Sequence, residues 1–253
     1  MLHTGMLSVT FRNLQPEEII RLTVQAGLDA IEWGGDIHVP HGNVEVAKRV
    51  KRLTEEAGLI IASYGSYYKA GVYDSDVPYF EDVLSSAIAL GAPAIRIWAG
   101  NKGSEKVELG WRDQVIADII RVANQAQQEN IRIHLEYHAN TLTDTLESTL
   151  ALLEAVGHPN VGTNWQPPTL LTFGEQLESL DGVLPFLADV HVYYLQLGER
   201  YPLSSGSEEW GEFFHRISSS AGNSRFALLE FVRGNDPKQF LEDAGELRRL
   251  LKS

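Results

Sequence analysis

Two carboxylates stand in segments that otherwise read as protein core. Glu136 lies in IRIHLEYHAN (131–140), and Glu230 lies in FALLEFV, with no charged residue following it until Arg233. An isolated carboxylate in such surroundings needs a cation, hydrogen-bond donors or a raised pKa. Around Glu136 the pattern is sharper: His134, Glu136 and His138 recur at every second position, with Leu135 and Tyr137 between them. On a helix the two histidines would be one turn apart and could share zinc. On a strand all three polar groups would share one face. The flanks favour the strand. WRDQVIADIIRVANQAQQEN has helical period and ends at Asn130, whereas IRIHLEY is short, alternating and β-branched.

The same strand-like pattern recurs along the chain as MLSVTF, DAIEWGG, LIIASYG, AIRIWAG, IRIHLEY, NVGTNWQ, HVYYLQL and FALLEFV. Between these runs lie segments of helical period, among them PEEIIRLTVQAG, NVEVAKRVKRLTEEAG, PYFEDVLSSAIALGA, TLESTLALLEAVG and FGEQLESLDGVLPFLADV. DPKQFLEDAGELRRLLKS comes last. Several finish in a glycine suited to a left-handed helix end, such as Gly27 and Gly91. Strict strand–helix alternation implies parallel neighbours. Eight units at roughly 30-residue spacing predict an α/β fold, a single (β/α)8 TIM barrel, occupying residues 1–253 as one domain.

In a closed barrel, alternate strand residues point inward, and the C-terminal strand ends carry the active site. Glu136 and His138 lie near such an end. So do Glu32 and Trp33 in AIEWGG, Tyr64 in IIASYG, Arg96 and Trp98 in AIRIWAG, Asn164 and Gln166 in VGTNWQP, and Glu230. His191 opens HVYYLQL, early enough to leave the start of its strand undecided. Glutamates on strands five and eight would face each other across the mouth. With His191 and an oxygen donor from strand six they could hold one divalent ion, since carboxylate and imidazole suit Mn, Mg, Co, Fe or Zn. His134, deeper in its strand, reads as a hydrogen-bonded core histidine.

Composition excludes several classes. The 253 residues contain no cysteine, so disulfides, thiolate metal sites and thiol catalysis are excluded. A formal charge of −13 opposes contact with phosphate backbones, so nucleic acid is not expected as a partner. MLHTGMLSVTFRNLQ lacks a basic segment followed by a long apolar run, and no later stretch reaches membrane-spanning length. No membrane association and a cytoplasmic location are therefore the expectation.

The layout resembles the xylose isomerase-like barrel superfamily, which contains sugar phosphate isomerases and epimerases, D-tagatose 3-epimerase, inosose dehydratases and endonuclease IV. The resemblance rests on Glu136 in LEYH, Gly162 through Gln166-Pro167 in GTNWQP, His191 in VHVYY and Glu230 in LLEF. It implies that Glu136, Gln166, His191 and Glu230 hold a divalent metal (Mn, Mg, Co or Zn). Gln166 stands where the family has Asp, and a neutral ligand lowers the charge offered to the ion. The implied activity is a metal-dependent isomerase or epimerase acting through an enediolate, with Glu136 and Glu230 as acid and base, on a small-molecule sugar or sugar phosphate. Glu32, His38, Arg96, His138, Asn164 and Arg200 would then hydrogen-bond the substrate, and Trp33, Tyr64, Tyr68 and Trp98 would pack on its carbon skeleton. The loops after strands two and three, GGDIHVPHGN and GSYYKAGVYDSDVP, are long enough to form a lid. A dehydratase or lyase on a related ketone, and a non-catalytic sugar-binding barrel without the ion, are the alternatives. Assembly into a homo-oligomer is compatible with all three.

Overall fold

The computed structural model describes residues 1–220 and 224–252. Eight parallel strands close a barrel: β1 (Leu2–Leu7), β2 (Ala30–Gly34), β3 (Ile60–Lys69), β4 (Ala94–Trp98), β5 (Arg132–Glu136), β6 (Val161–Trp165), β7 (Leu187–Val192) and β10 (Arg225–Leu229). Neighbours follow chain order around the ring, and β1 closes it between β2 and β10. A small antiparallel hairpin, β8 (Leu195–Gln196) and β9 (Glu199–Arg200), projects after β7. The outer layer comprises α1 (Pro16–Ala26), α2 (Val44–Glu56), α3 (Phe80–Leu90), α4 (Leu109–Gln128), α5 (Leu146–Val156), α6 (Phe173–Val183), α7 (Ser207–Ser219) and α8 (Pro237–Leu250). No helix among the described residues is long and apolar enough to cross a membrane.

Local chemistry explains the boundaries. α1 starts with a capping box between Gln15 and Glu18 and has Pro16 in its first turn. It ends on Gly27 at φ 64°, and α3 ends likewise on Gly91 at φ 74°. The main core lies between strands and helices, where Ile31, Ile95, Ile133, Leu135 and Val190 are fully buried. A second, smaller cluster of Leu7, Ala30, Ala62 and Leu228 fills the barrel interior. Ala30 and Leu228 sit two residues before Glu32 and Glu230, so apolar side chains floor the polar mouth.

Two expected elements are displaced. The first strand is Leu2–Leu7 rather than MLSVTF; Ser8–Phe11 forms a 3-10 turn that sends Phe11 against Phe240. The helix expected through Val190 stops at Val183, because Pro185 cannot continue it and sits in a 3-10 turn. LADV is thereby released to the strand, and β7 begins at Leu187. His191 consequently sits at the C-terminal end of β7, not at its start.

Candidate functional site

Three strands deliver the site. Glu136 is the last residue of β5, His191 the penultimate residue of β7, and Glu230 follows β10 directly. Each offers one ligand atom, and the three atoms lie within 4.8 Å of one another. His191 is fully buried, with Nδ1 3.5 Å from Glu136 Oε1 and 3.6 Å from Glu230 Oε2. These distances are long for hydrogen bonds. Both His191 nitrogens and Glu230 Oε2 are buried without a hydrogen-bond partner.

The far side of Glu136 is fully engaged. Arg96, inward on β4, donates through Nη1 to Glu136 Oε2 and through Nε to Glu32 Oε1 at 2.8 Å. Trp98 Nε1 donates to the same Glu136 oxygen at 2.5 Å, and Ser63 Oγ donates to Glu32 Oε2 at 2.6 Å. Room for this network depends on Gly65, where a Cβ would come within 2.5 Å of Glu32 Oε1 and 2.7 Å of Arg96 Nη2. Burial disfavours charge on Glu136, but Arg96 and His191 outweigh it and hold the carboxyl below the usual range. Burial likewise opposes charge on Arg96, and Glu136 and Glu32 override it. Burial would lower the pKa of His191 too; Glu136 and Glu230 raise it to about 10.

Gln166, just beyond β6, donates through Nε2 to the Tyr137 carbonyl at 2.8 Å and approaches Glu136 Oε1 at 3.5 Å. Its Oε1 is buried and unpartnered. The orphaned donors are therefore carboxylate oxygen, amide oxygen and imidazole nitrogen, converging from three strands. Buried polar atoms left unpaired are costly, and this donor set suits a divalent cation.

Other expected site residues divide into two groups. Glu32, Arg96 and Trp98 join the mouth as described. His138 stacks on Trp98 with centroids 5.0 Å apart, and its Nδ1 donates to the Ala139 carbonyl at 2.7 Å. Arg200, on β9, donates to Asn235 Oδ1 at 2.6 Å and lies 4.9 Å from the Phe231 ring centroid. It lines a cavity of about 550 Å³ together with Glu230, Arg12 and Asn235. Phe231 holds a left-handed backbone, φ 52°, immediately after Glu230. Asn164 points inward below the mouth, its Oδ1 accepting from the Asp189 amide.

Trp33, Tyr64, Tyr68 and His38 lie away from the mouth. Trp33 Nε1 donates to Thr54 on α2, and Tyr64 donates to the Val39 carbonyl and meets His41. Tyr68 donates to Asp118 on α4 and packs on Phe80. Trp33 is the neighbour of inward Glu32 and is paired in register with Tyr64, so strand alternation turns both rings toward the helices. His38 is buried between Ser8 Oγ and the Leu14 carbonyl, where it ties two loops together. Tyr67 was not anticipated. β3 runs past IIASYG to Lys69, which brings Tyr67 edge-on to Trp98 at 5.5 Å, with its hydroxyl accepting from Arg12. The alternation of Tyr67 and Lys69 beyond Gly65 is the signal that marks this extension.

A family model for xylose isomerase-like TIM barrels matches residues 20–250. The chain is 28% identical to a 3-dehydroshikimate dehydratase of Bacillus anthracis over 94% of this chain and 93% of that protein. The crystal structure of the probable 3-DHS dehydratase AsbF of Bacillus anthracis, involved in petrobactin synthesis, superposes with a TM-score of 0.79 at 22% identity, covering 98% of this chain and 99% of that one. D-psicose 3-epimerase with D-tagatose, from Clostridium cellulolyticum H10, gives 0.75 at 16% identity, covering 99% of each chain. At these identities the structural likenesses show the fold.

Proposed function

Because the chain belongs to the xylose isomerase-like TIM barrel family, we propose that its mouth is a divalent-metal enzyme site that removes a proton next to the carbonyl of a small polyhydroxylated ketone. The convergence of Glu136, His191 and Glu230, with partnerless buried donor atoms, supports this reading above all else. Glu136, His191, Glu230 and the Gln166 amide oxygen would hold the ion. A bound divalent cation supplies Lewis acidity toward a carbonyl oxygen and the charge that lets two glutamates share a buried site.

The residues then divide the remaining work. Glu136 is immobilised by Arg96 and Trp98 and its proton affinity is suppressed, so it serves as a fixed anionic ligand. Glu230 turns Oε2 toward His191 and the ion site while the residue also lines the 550 Å³ cavity, so its other oxygen is the base. Its carboxylate takes the proton α to the carbonyl. The C–H pair becomes a C=C bond as the β C–O bond breaks, and Glu230 returns that proton to the departing oxygen as water. This is a dehydration that needs one base.

Arg200 adds a substrate preference. Among the described residues no carboxylate lies within ion-pair reach of it, and it faces the same cavity as Glu230. A substrate carboxylate would complete it. A cyclic hydroxy ketone acid fits all three features, and 3-dehydroshikimate, on which the 28% identical relative acts by its name, is the first compound to test. A second reading, sugar epimerisation, is favoured by the apposition of Glu136 and Glu230, since epimerisation needs a base on one face of a planar intermediate and an acid on the other.

The test is one experiment with two arms. Protein loaded with Mn or Co is incubated with 3-dehydroshikimate, watching for the ultraviolet absorbance of a dihydroxybenzoate, and with a panel of ketoses in deuterated water, watching for carbon-bound deuterium. Aromatic product supports the dehydratase, and deuterated sugar supports the epimerase. Neither product, with an ion bound, refutes the enzymatic reading.

A further inference from the structure

A second cavity, about 620 Å³, opens at the N-terminal end of the barrel, the pole opposite Glu136. The alternation that carries Glu136 to one mouth carries Arg132, four residues earlier on the same face of β5, to the other. His134 stands between them, and Asp189 faces it from β7. Both are more than nine-tenths buried, at 6% and 4% exposure. Asp189 is already engaged: Oδ1 accepts from the Phe226 amide at 2.8 Å, and Oδ2 lies 3.4 Å from His134 Nδ1. That nitrogen has no hydrogen-bond partner, and the ring lines the cavity.

The cationic side is less balanced. Arg132 is exposed at the opening and reaches over Gly162, its Nη2 3.7 Å from where a Cβ would sit. A side chain at residue 162 would press on the Phe186 carbonyl oxygen at 3.0 Å, so the glycine keeps this floor open. Arg225, 8% exposed, borders the cavity and donates to the Leu187 carbonyl and Ser220 Oγ. Among the described residues neither guanidinium has a carboxylate within ion-pair distance. Two guanidiniums against one engaged carboxylate leave a positive pocket in a protein of net charge −13. Phe186, Phe226, Leu153 and Pro159 make the rest of the wall apolar.

We propose that this cavity binds a small carboxylate with an apolar body, the carboxylate between Arg132 and His134 and the body against Phe186 and Phe226. A single net positive charge suits a monoanion better than a dianion, and apolar walls with a few converging polar groups characterise small-molecule sites of this volume. The site is separate from the metal cluster and does not depend on it.

Calorimetric titration of the full chain with benzoate, with its neutral isostere benzamide and with inorganic phosphate tests this, alongside amide shifts in 15N-labelled protein. One benzoate per chain is expected, with benzamide weaker by at least about tenfold, as loss of a charge-assisted contact implies. Arg132→Gln, at an exposed position where folding is not at stake, should weaken benzoate by about tenfold as well. Shifts should fall on Arg132, Gly162, Asp189 and Phe226, not on Gln166 or Phe231. No saturable binding, equal binding of benzamide, tighter binding of phosphate, unchanged affinity in Arg132→Gln, or shifts confined to Gln166 and Phe231 would each overturn the proposal.

Discussion

The two sides of the barrel mouth handle buried charge in opposite ways. On the β4–β5 side a single guanidinium answers Glu32 and Glu136 together, and Ser63 and Trp98 satisfy remaining lone pairs. On the β7–β10 side His191 and Glu230 approach each other without a hydrogen bond, and their atoms remain unpaired. A completed network fixes geometry. An incomplete one has affinity left over for something else. The mouth thus pairs a rigid wall with a receptive one, and Glu136 belongs to both.

Breaking the rigid wall should do the most damage. Arg96→Met leaves two buried carboxylates without their cation, and a stability loss of about 3–5 kcal/mol is expected in urea unfolding. A loss under 1 kcal/mol would show that the wall is not held by that guanidinium. On the receptive side, Glu230→Gln should leave the fold intact and cut turnover by roughly 10²- to 10⁴-fold on a confirmed substrate; full turnover would remove Glu230 from the mechanism.

Acidity sharpens the contrast between the walls. Burial alone would lower the pKa of His191, yet Glu136 and Glu230 raise it to about 10 in the metal-free protein, above an unfolded value of about 6.5. A raised folded pKa gives a contribution that is full below the unfolded value and lost as pH climbs through the folded one. Metal-free protein should therefore lose stability between about 6.5 and 10, while metal-loaded protein, its imidazole already deprotonated, should not. Glu136 behaves in the reverse sense: its depressed pKa gives a contribution present above the unfolded value and lost only when pH falls through the lower folded one. Thermal melts across the alkaline window, with and without a chelator, check this; a flat chelated profile contradicts it. The smallest effect belongs outside both walls. Tyr68→Phe removes a buried hydrogen bond to Asp118 on the helix side, for about 1 kcal/mol of stability, with activity unchanged.

Much of this is legible in the sequence. Strand–helix alternation specified the barrel, and the isolation of Glu136 and Glu230 in apolar runs marked them as needing a partner. Trp33, Tyr64 and Tyr68 were harder, because an aromatic near a strand end faces mouth or helix according to parity, and a register shift between Ile31 and Glu32 is invisible in composition. His191 lies in the expected strand, but the start of that strand stays open in the sequence, since the break at Pro185 sits inside a run that still reads as helical. The double duty of Arg96 was out of reach, because it depends on three strands and on the missing side chain of Gly65.

Phe231 has one further consequence. A bulky residue held at positive φ stores on the order of 1–2 kcal/mol, and here the ring so placed carries Arg200 while the preceding residue is Glu230. The two groups thus border one strained residue. Under the proposed roles, relaxing that one residue would disturb the Glu230 carboxylate and the Arg200 guanidinium together, so reactivity and selectivity in this barrel should be gained or lost as one.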